Sequence, residues 1–212
     1  RTTYNLITKD VLKKEKLDKN GARIEYHEYS EKTGYLTNEG YLLKNGDWEE
    51  IEYRNAYPNT METRTIFAKN RKSQMLYEYN VDGKTEKRKT GEIYRTASDS
   101  FPISVINYMT NVPRDIILSR IDYDSEDKSK KSYTISDYNT NPNNNVEVKA
   151  QMVFDGVVIE DIKYAPDGNH FEYTIEYFQN GSRVETEYTG RNRKVKERKF
   201  SPSNFLLKEV YY

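Results

Sequence analysis

The chain of 212 residues contains no cysteine. Disulfides, thiolate metal sites and cysteine nucleophiles are thereby excluded, while the redox compartment stays open. Histidine is almost as scarce, at two residues, and there is one tryptophan. No apolar run approaches the roughly 18 residues of a membrane-spanning helix. An excess of either charge is missing too: 34 basic residues balance 34 acidic ones. A general nucleic-acid binder needs cations to displace counterions, so this balance argues against nucleic acid as a partner. Absent as well are a Walker loop, a GxGxxG turn, a GxSxG elbow and an HExxH pair. These absences argue against the familiar phosphate cradles and zinc peptidases and leave a serine triad without support.

Tyrosine is what the chain has in abundance, with 20 residues against seven phenylalanines. A chain this hydrophilic would suggest disorder, but disordered chains are poor in aromatics. Tyrosine suits a half-buried pleated surface, where the ring packs and the hydroxyl reaches water. The stretch DGNHFEYTIEYFQNGSRVETEYTG alternates accordingly, with Phe171, Tyr173, Ile175 and Tyr177 on one side of an extended chain. Six of the ten glycines follow Asn or Asp, the signature of tight hairpin turns. Between them lie segments rich in Tyr, Ile, Val and Thr. The expected strands fall near 2–8, 11–17, 22–30, 35–43, 48–55, 61–68, 74–80 and 84–96 in the first half. In the second half they fall near 115–124, 131–138, 146–154, 157–164, 170–179, 182–189, 193–200 and 205–212. The expected fold is therefore all-β, one domain over 1–212, an antiparallel meander forming a curved open sheet or half-barrel.

One segment departs from the rhythm. In SDSFPISVINYMTNVPRD, Asp99 or Ser100 is a candidate helix cap, Pro102 suits a first turn, and Ile103, Ile106 and Met109 recur at helical spacing. This predicts one short helix near 102–110, either a crossover helix covering core, which is the favoured reading, or a plug against the concave side of the sheet. DYNTNPNNN, from Asp137 to Asn145, reads as a loop.

Two resemblances follow from these patterns. The units YHEYSEKTGYLTNEGYLLKNGDWEEIEY and EYTIEYFQNGSRVETEY resemble the hairpin repeats of YwqK/MORN-like bacterial proteins. Strands up to Tyr94, then DSFPISVINYM, then further meander, are similar in layout to LolA-like and DUF3108-like envelope proteins. That second likeness implies a half-barrel with a concave apolar groove and an extracytoplasmic location: periplasmic, cell-surface or secreted. The chain begins at Arg1 rather than methionine, which agrees with a removed signal or lipoprotein-like anchor.

Chemistry is thinly represented. His170 and Glu172 share a strand face, but two ligands without a third make no metal centre. Arg191 to Lys199, RNRKVKERK, could meet an acidic partner; charge pairing with the acidic RVETEY accounts for it as well. Paired carboxylates suited to glycoside hydrolysis stay open among 34 acidic residues. The expectation is a non-catalytic protein without metal or cofactor, binding an apolar or lipid-like ligand. The lining would be Phe101, Ile103, Ile106, Tyr108 and Met109 from the helix, with Phe171, Tyr173, Ile175 and Tyr177 from the sheet. The alternative is a structural or interaction module that binds a protein or a glycan through a tyrosine-rich sheet face.

Overall fold

A computed structural model of the chain describes residues 1–54, 59–124 and 131–212. Among them every regular element is a β-strand, and each ladder joins strands that are neighbours in sequence and run antiparallel. The chain is thus an all-β antiparallel meander of 17 strands. It forms two compact units: residues 1–102 with 109–111, and residues 103–108 with 112–212.

The first unit holds β1 (Thr2–Tyr4), β2 (Val11–Leu17), β3 (Arg23–Tyr29), β4 (Leu36–Leu42), β5 (Trp48–Tyr53), β6 (Met61–Phe67), β7 (Ser73–Tyr79) and β8 (Glu86–Ile93). Each pairs with the next, from β1–β2 through β7–β8. The second unit opens with β9 (Ser104–Tyr108), β10 (Ile117–Tyr123), β11 (Ser132–Tyr138), β12 (Glu147–Phe154) and β13 (Val157–Tyr164). It continues with β14 (Phe171–Tyr177), β15 (Arg183–Thr189), β16 (Arg193–Phe200) and β17 (Leu206–Tyr211). These too pair in sequence order. Within each unit no ladder among the described residues joins the first strand to the last, so each sheet is open. The expected strand over 48–55 ends at Tyr53, and its last residue lies outside the described residues.

The helix expected near 102–110 is absent, and β9 takes its place. Val105 and Ile106 are β-branched and fit a pleated surface better than a helix. Asp99 does not cap a helix; its carboxylate accepts from the Thr96 amide at 2.8 Å and closes a turn backwards. Ser104 and Ile106, two residues apart, are both buried, which is the period of a strand.

The turns refine the hairpin reading. At Asn180–Gly181 only the glycine has positive φ, and its amide bonds to the Phe178 carbonyl at 2.8 Å. This is a type I turn closed by a left-handed glycine, which leaves an extra residue on one strand. Asp155–Gly156, with φ of 50° and 80°, is the two-residue mirror-image turn. Register irregularities occur in most ladders, among them β12–β13 and β13–β14.

Burial is sparse. Among the described residues the buried apolar side chains are Tyr26, Trp48 and Tyr79 in the first unit and Ile106, Ile116, Ala150 and Val153 in the second. In the second unit Ser136, Ala150, Ile162, Thr174 and Thr186 follow one another across five strands as directly opposed residues. Thr174 and Thr186 are only 4% and 2% exposed. Small side chains, not large apolar ones, fill the centre of that face.

Candidate binding face

Directly opposed residues on neighbouring antiparallel strands share a face. Gln151, Asp161, Ile175, Glu185, Arg198 and Glu209 are one such row in the second unit; Lys149, Lys163, Tyr173, Glu187, Lys196 and Tyr211 are the next. Together they build a lattice of tyrosines, carboxylates and cations. Asp161 accepts from Gln151 Nε2 at 2.6 Å and from the Tyr177 hydroxyl at 3.0 Å, with Lys149 Nζ at 3.9 Å. Glu185 takes Arg183 Nε at 2.8 Å, and Arg198 pairs with Glu187. Lys196 Nζ lies 2.6 Å from Glu209. Burial, and then a hydrogen bond to Glu185, push the Tyr173 hydroxyl up to about 12. On this face the basic run of β16 is thus partnered, Arg198 by Glu187 of β15 and Lys196 by Glu209 of β17.

Within this lattice a shallow depression of about 450 Å³ is lined by Val148, Lys149, Asp161, Ile162, Lys163, Tyr173 and Ile175. The side chains of Tyr173 and Ile175 make its apolar floor, and Asp161, Lys149 and Lys163 stand at its rim; Val148 and Ile162 alternate with these and turn to the other face.

The first unit repeats the chemistry. Lys14, His27, Glu39, Ile51, Arg64, Tyr77 and Lys89 form one row across seven strands. Glu39 is buried, at 8% exposure, and accepts the Tyr41 hydroxyl at 2.7 Å and the Tyr53 hydroxyl at 2.5 Å, one on each carboxylate oxygen. His27 Nε2 sits 3.1 Å from the Tyr41 hydroxyl. Burial, reinforced by Glu39, raises both tyrosines well above their ordinary range. With each oxygen engaged by a hydroxyl, Glu39 acts as a structural acceptor.

The predicted lining residues divide in a way period two alone does not foresee. Tyr173, Ile175 and Tyr177 do share a face of β14, and Tyr173 and Ile175 line the depression. Phe171 departs from them. The irregularity between Lys163 and Tyr164 turns its ring to the other face, where it lies 5.6 Å from Tyr164 and 5.5 Å from Tyr188. The five residues expected on the helix divide between the two units. Phe101 is 64% exposed, and it and Met109 belong to the first unit. Ile103, Ile106 and Tyr108 belong to the second, with Ile106 buried opposite Arg120 and Tyr108 opposite Ile117. His170 and Glu172 are engaged separately, His170 Nδ1 with Asp167 at 2.5 Å and Glu172 with Lys163 at 2.8 Å.

Sequence reasoning missed Asp161, Glu185 and the Glu39 cluster. A signal for part of this existed: Glu-x-Tyr puts an acceptor and a hydroxyl side by side on one strand face. Each of its three occurrences makes the bond, Tyr41 to Glu39, Tyr94 to Glu92 and Tyr211 to Glu209. No known protein-family model matches the chain, and no curated protein matches it.

Proposed function

We propose that the chain is a non-catalytic interaction module that binds a partner protein on the tyrosine–carboxylate face of its second unit. The observation that carries this reading is the depression around Tyr173 and Ile175, with an apolar floor and a rim of Lys149, Asp161 and Lys163. An apolar centre within a polar rim is the anatomy of a protein-binding patch, and tyrosine gives contact area at small entropic cost. The ion pairs around it satisfy one another, which favours a partner of balanced charge over a polyanion. An extracytoplasmic location belongs to the same proposal and rests on the sequence resemblance to envelope proteins alone.

The same depression supports a second reading, a carrier for an apolar or lipid-like ligand, since Tyr173 and Ile175 give it an apolar surface. Half-barrel curvature would go with that reading. One experiment separates the two. Immobilised wild-type chain, Ile175→Asp and Tyr173→Ala are challenged with host proteins and a glycan panel, and purified chain is extracted for bound lipid. The module reading expects a protein retained by wild type and lost by both variants, with no extractable lipid. Exchangeable lipid that Ile175→Asp abolishes would establish the carrier instead. Retention by glycans alone, or a protein held equally by all three chains, would overturn the proposal.

A further inference from the structure

The other face of the second unit carries a row with a different character. Glu160 on β13 lies opposite Glu176 on β14, Glu176 opposite Val184 on β15, Val184 opposite Lys199 on β16, and Lys199 opposite Lys208 on β17. Across five neighbouring strands the row reads acid, acid, valine, lysine, lysine. Like charges directly opposed across a ladder are destabilising. Here there are two such pairs, and none of the four charged groups has an ion pair or side-chain hydrogen bond among the described residues. The same strands pair their charges thoroughly on the tyrosine face, as Arg183 with Glu185, Arg198 with Glu187 and Lys196 with Glu209. Across these five strands the segregation is therefore confined to one face. Desolvation, followed by the facing Glu176, holds the Glu160 carboxyl above its ordinary range.

Apolar surface flanks the row. Met152 lies directly opposite Glu160 and is exposed, and Phe178, two residues beyond Glu176, is 46% exposed. Strand spacing places the centre of the acid pair about 14 Å from the centre of the lysine pair. Such a strip is complementary to its own reverse. A two-fold axis parallel to β15, passing over Val184, would lay the row of a second copy antiparallel on the first. The acids of each copy would then meet the lysines of the other, and the valines would meet at the axis. Sheets that pack face to face lie about 10 Å apart, within reach of a glutamate and a lysine extended toward each other. A partner carrying one sign of charge would satisfy only half the strip.

We propose that this face is a self-association surface, on which a second copy of the chain docks about that two-fold, Glu160 against Lys208 and Glu176 against Lys199 of the second copy. The interface is isologous, so each cross-pair occurs twice. It lies on the face opposite the tyrosine lattice and stands independently of the partner reading above.

The test is sedimentation equilibrium of the full chain in low and high salt. It is run on wild type, on Glu160→Lys/Glu176→Lys, on Lys199→Glu/Lys208→Glu, and on an equimolar mixture of the two variants. Wild type is expected to dimerise, with affinity falling on the order of tenfold between about 0.05 and 0.5 M salt as the cross-pairs are screened. Each variant presents one sign along the whole strip and is expected to be monomeric where wild type is dimeric. The mixture, acidic strip against basic strip, is expected to recover a heterodimer. Wild type monomeric at every concentration, a dimer indifferent to salt, or variants that dimerise alone would each overturn the proposal. Salt dependence needs no substitution, so the test survives a variant that fails to fold.

Discussion

Gly40 shows how one residue organises a face. It lies beneath the stacked rings of Tyr26 and Trp48, whose centroids are 6.0 Å apart. A Cβ at position 40 would come within 2.8 Å of Trp48 Cζ2 and closer still to the Tyr26 ring. The Arg23 guanidinium lies 4.7 Å from the Tyr26 centroid and 5.5 Å from that of Trp48, so a cation covers both rings. Burial, and then the neighbouring Glu50, push the Tyr26 hydroxyl up to about 12, against the opposing charge of Arg23. Gly40→Val must part the stack, and overpacking of this kind costs about 1–3 kcal/mol. Trp48 is the only tryptophan, so its emission reports the change directly. A lower melting temperature and red-shifted emission from the folded variant are expected; unchanged values for both would mean the rings do not rest on Gly40. The sequence shows the glycine but not its office, because Tyr26 and Trp48 meet only once β3, β4 and β5 are in register.

At the scale of the element, the strands were legible where side chains alternate and Asn or Asp precedes glycine. The β14–β15 hairpin is the clearest case, with its turn at Asn180–Gly181. β9 was not, since Ile103, Ile106 and Met109 satisfy a helical spacing while Ser104 and Ile106 satisfy an extended one, and only the ladder with β10 decides between them. Bulges were also invisible, and one of them moves Phe171 across the sheet. The β13–β14 ladder carries a prediction of its own. Glu160 is raised above its ordinary range by burial and by Glu176 opposite it. A carboxyl raised in the folded state favours folding while protonated, and that stability is lost as pH rises through the raised value. At neutral pH the repulsion is fully expressed, so Glu160→Gln should stabilise the chain by about 0.2–1 kcal/mol. The gain should fade in acid, as the Glu160 carboxyl takes up its proton and the repulsion is relieved. Urea unfolding at pH 7 and in acid, at a dilution that keeps the chain monomeric, measures it. A gain that grows in acid, or a loss at pH 7, would contradict the assignment.

For the whole molecule, composition carried more information than any motif. Abundant tyrosine with few large aliphatics pointed to amphipathic sheet faces and a thin core, and the buried apolar residues are correspondingly few. What composition could not reveal is the polarity of those faces. An apolar wall was expected at Tyr173, Ile175 and Tyr177; these residues stand instead in a lattice with Asp161, Glu185 and Arg198, while threonine and alanine take the most buried places. Cross-strand partners decide this, and they lie 10 or more positions away in sequence, as Gln151 does from Asp161.

The account rests on sheets held by polar lattices and little apolar burial, which leaves their faces free for partners. The heat-capacity change of unfolding, measured calorimetrically on dilute chain, tests this most directly, because apolar exposure raises it and polar exposure lowers it. A globular protein of 212 residues would give roughly 2.5–3.2 kcal/mol/K. The account predicts a value well below that range, and a value within it would contradict the account by revealing an apolar core that these faces do not supply.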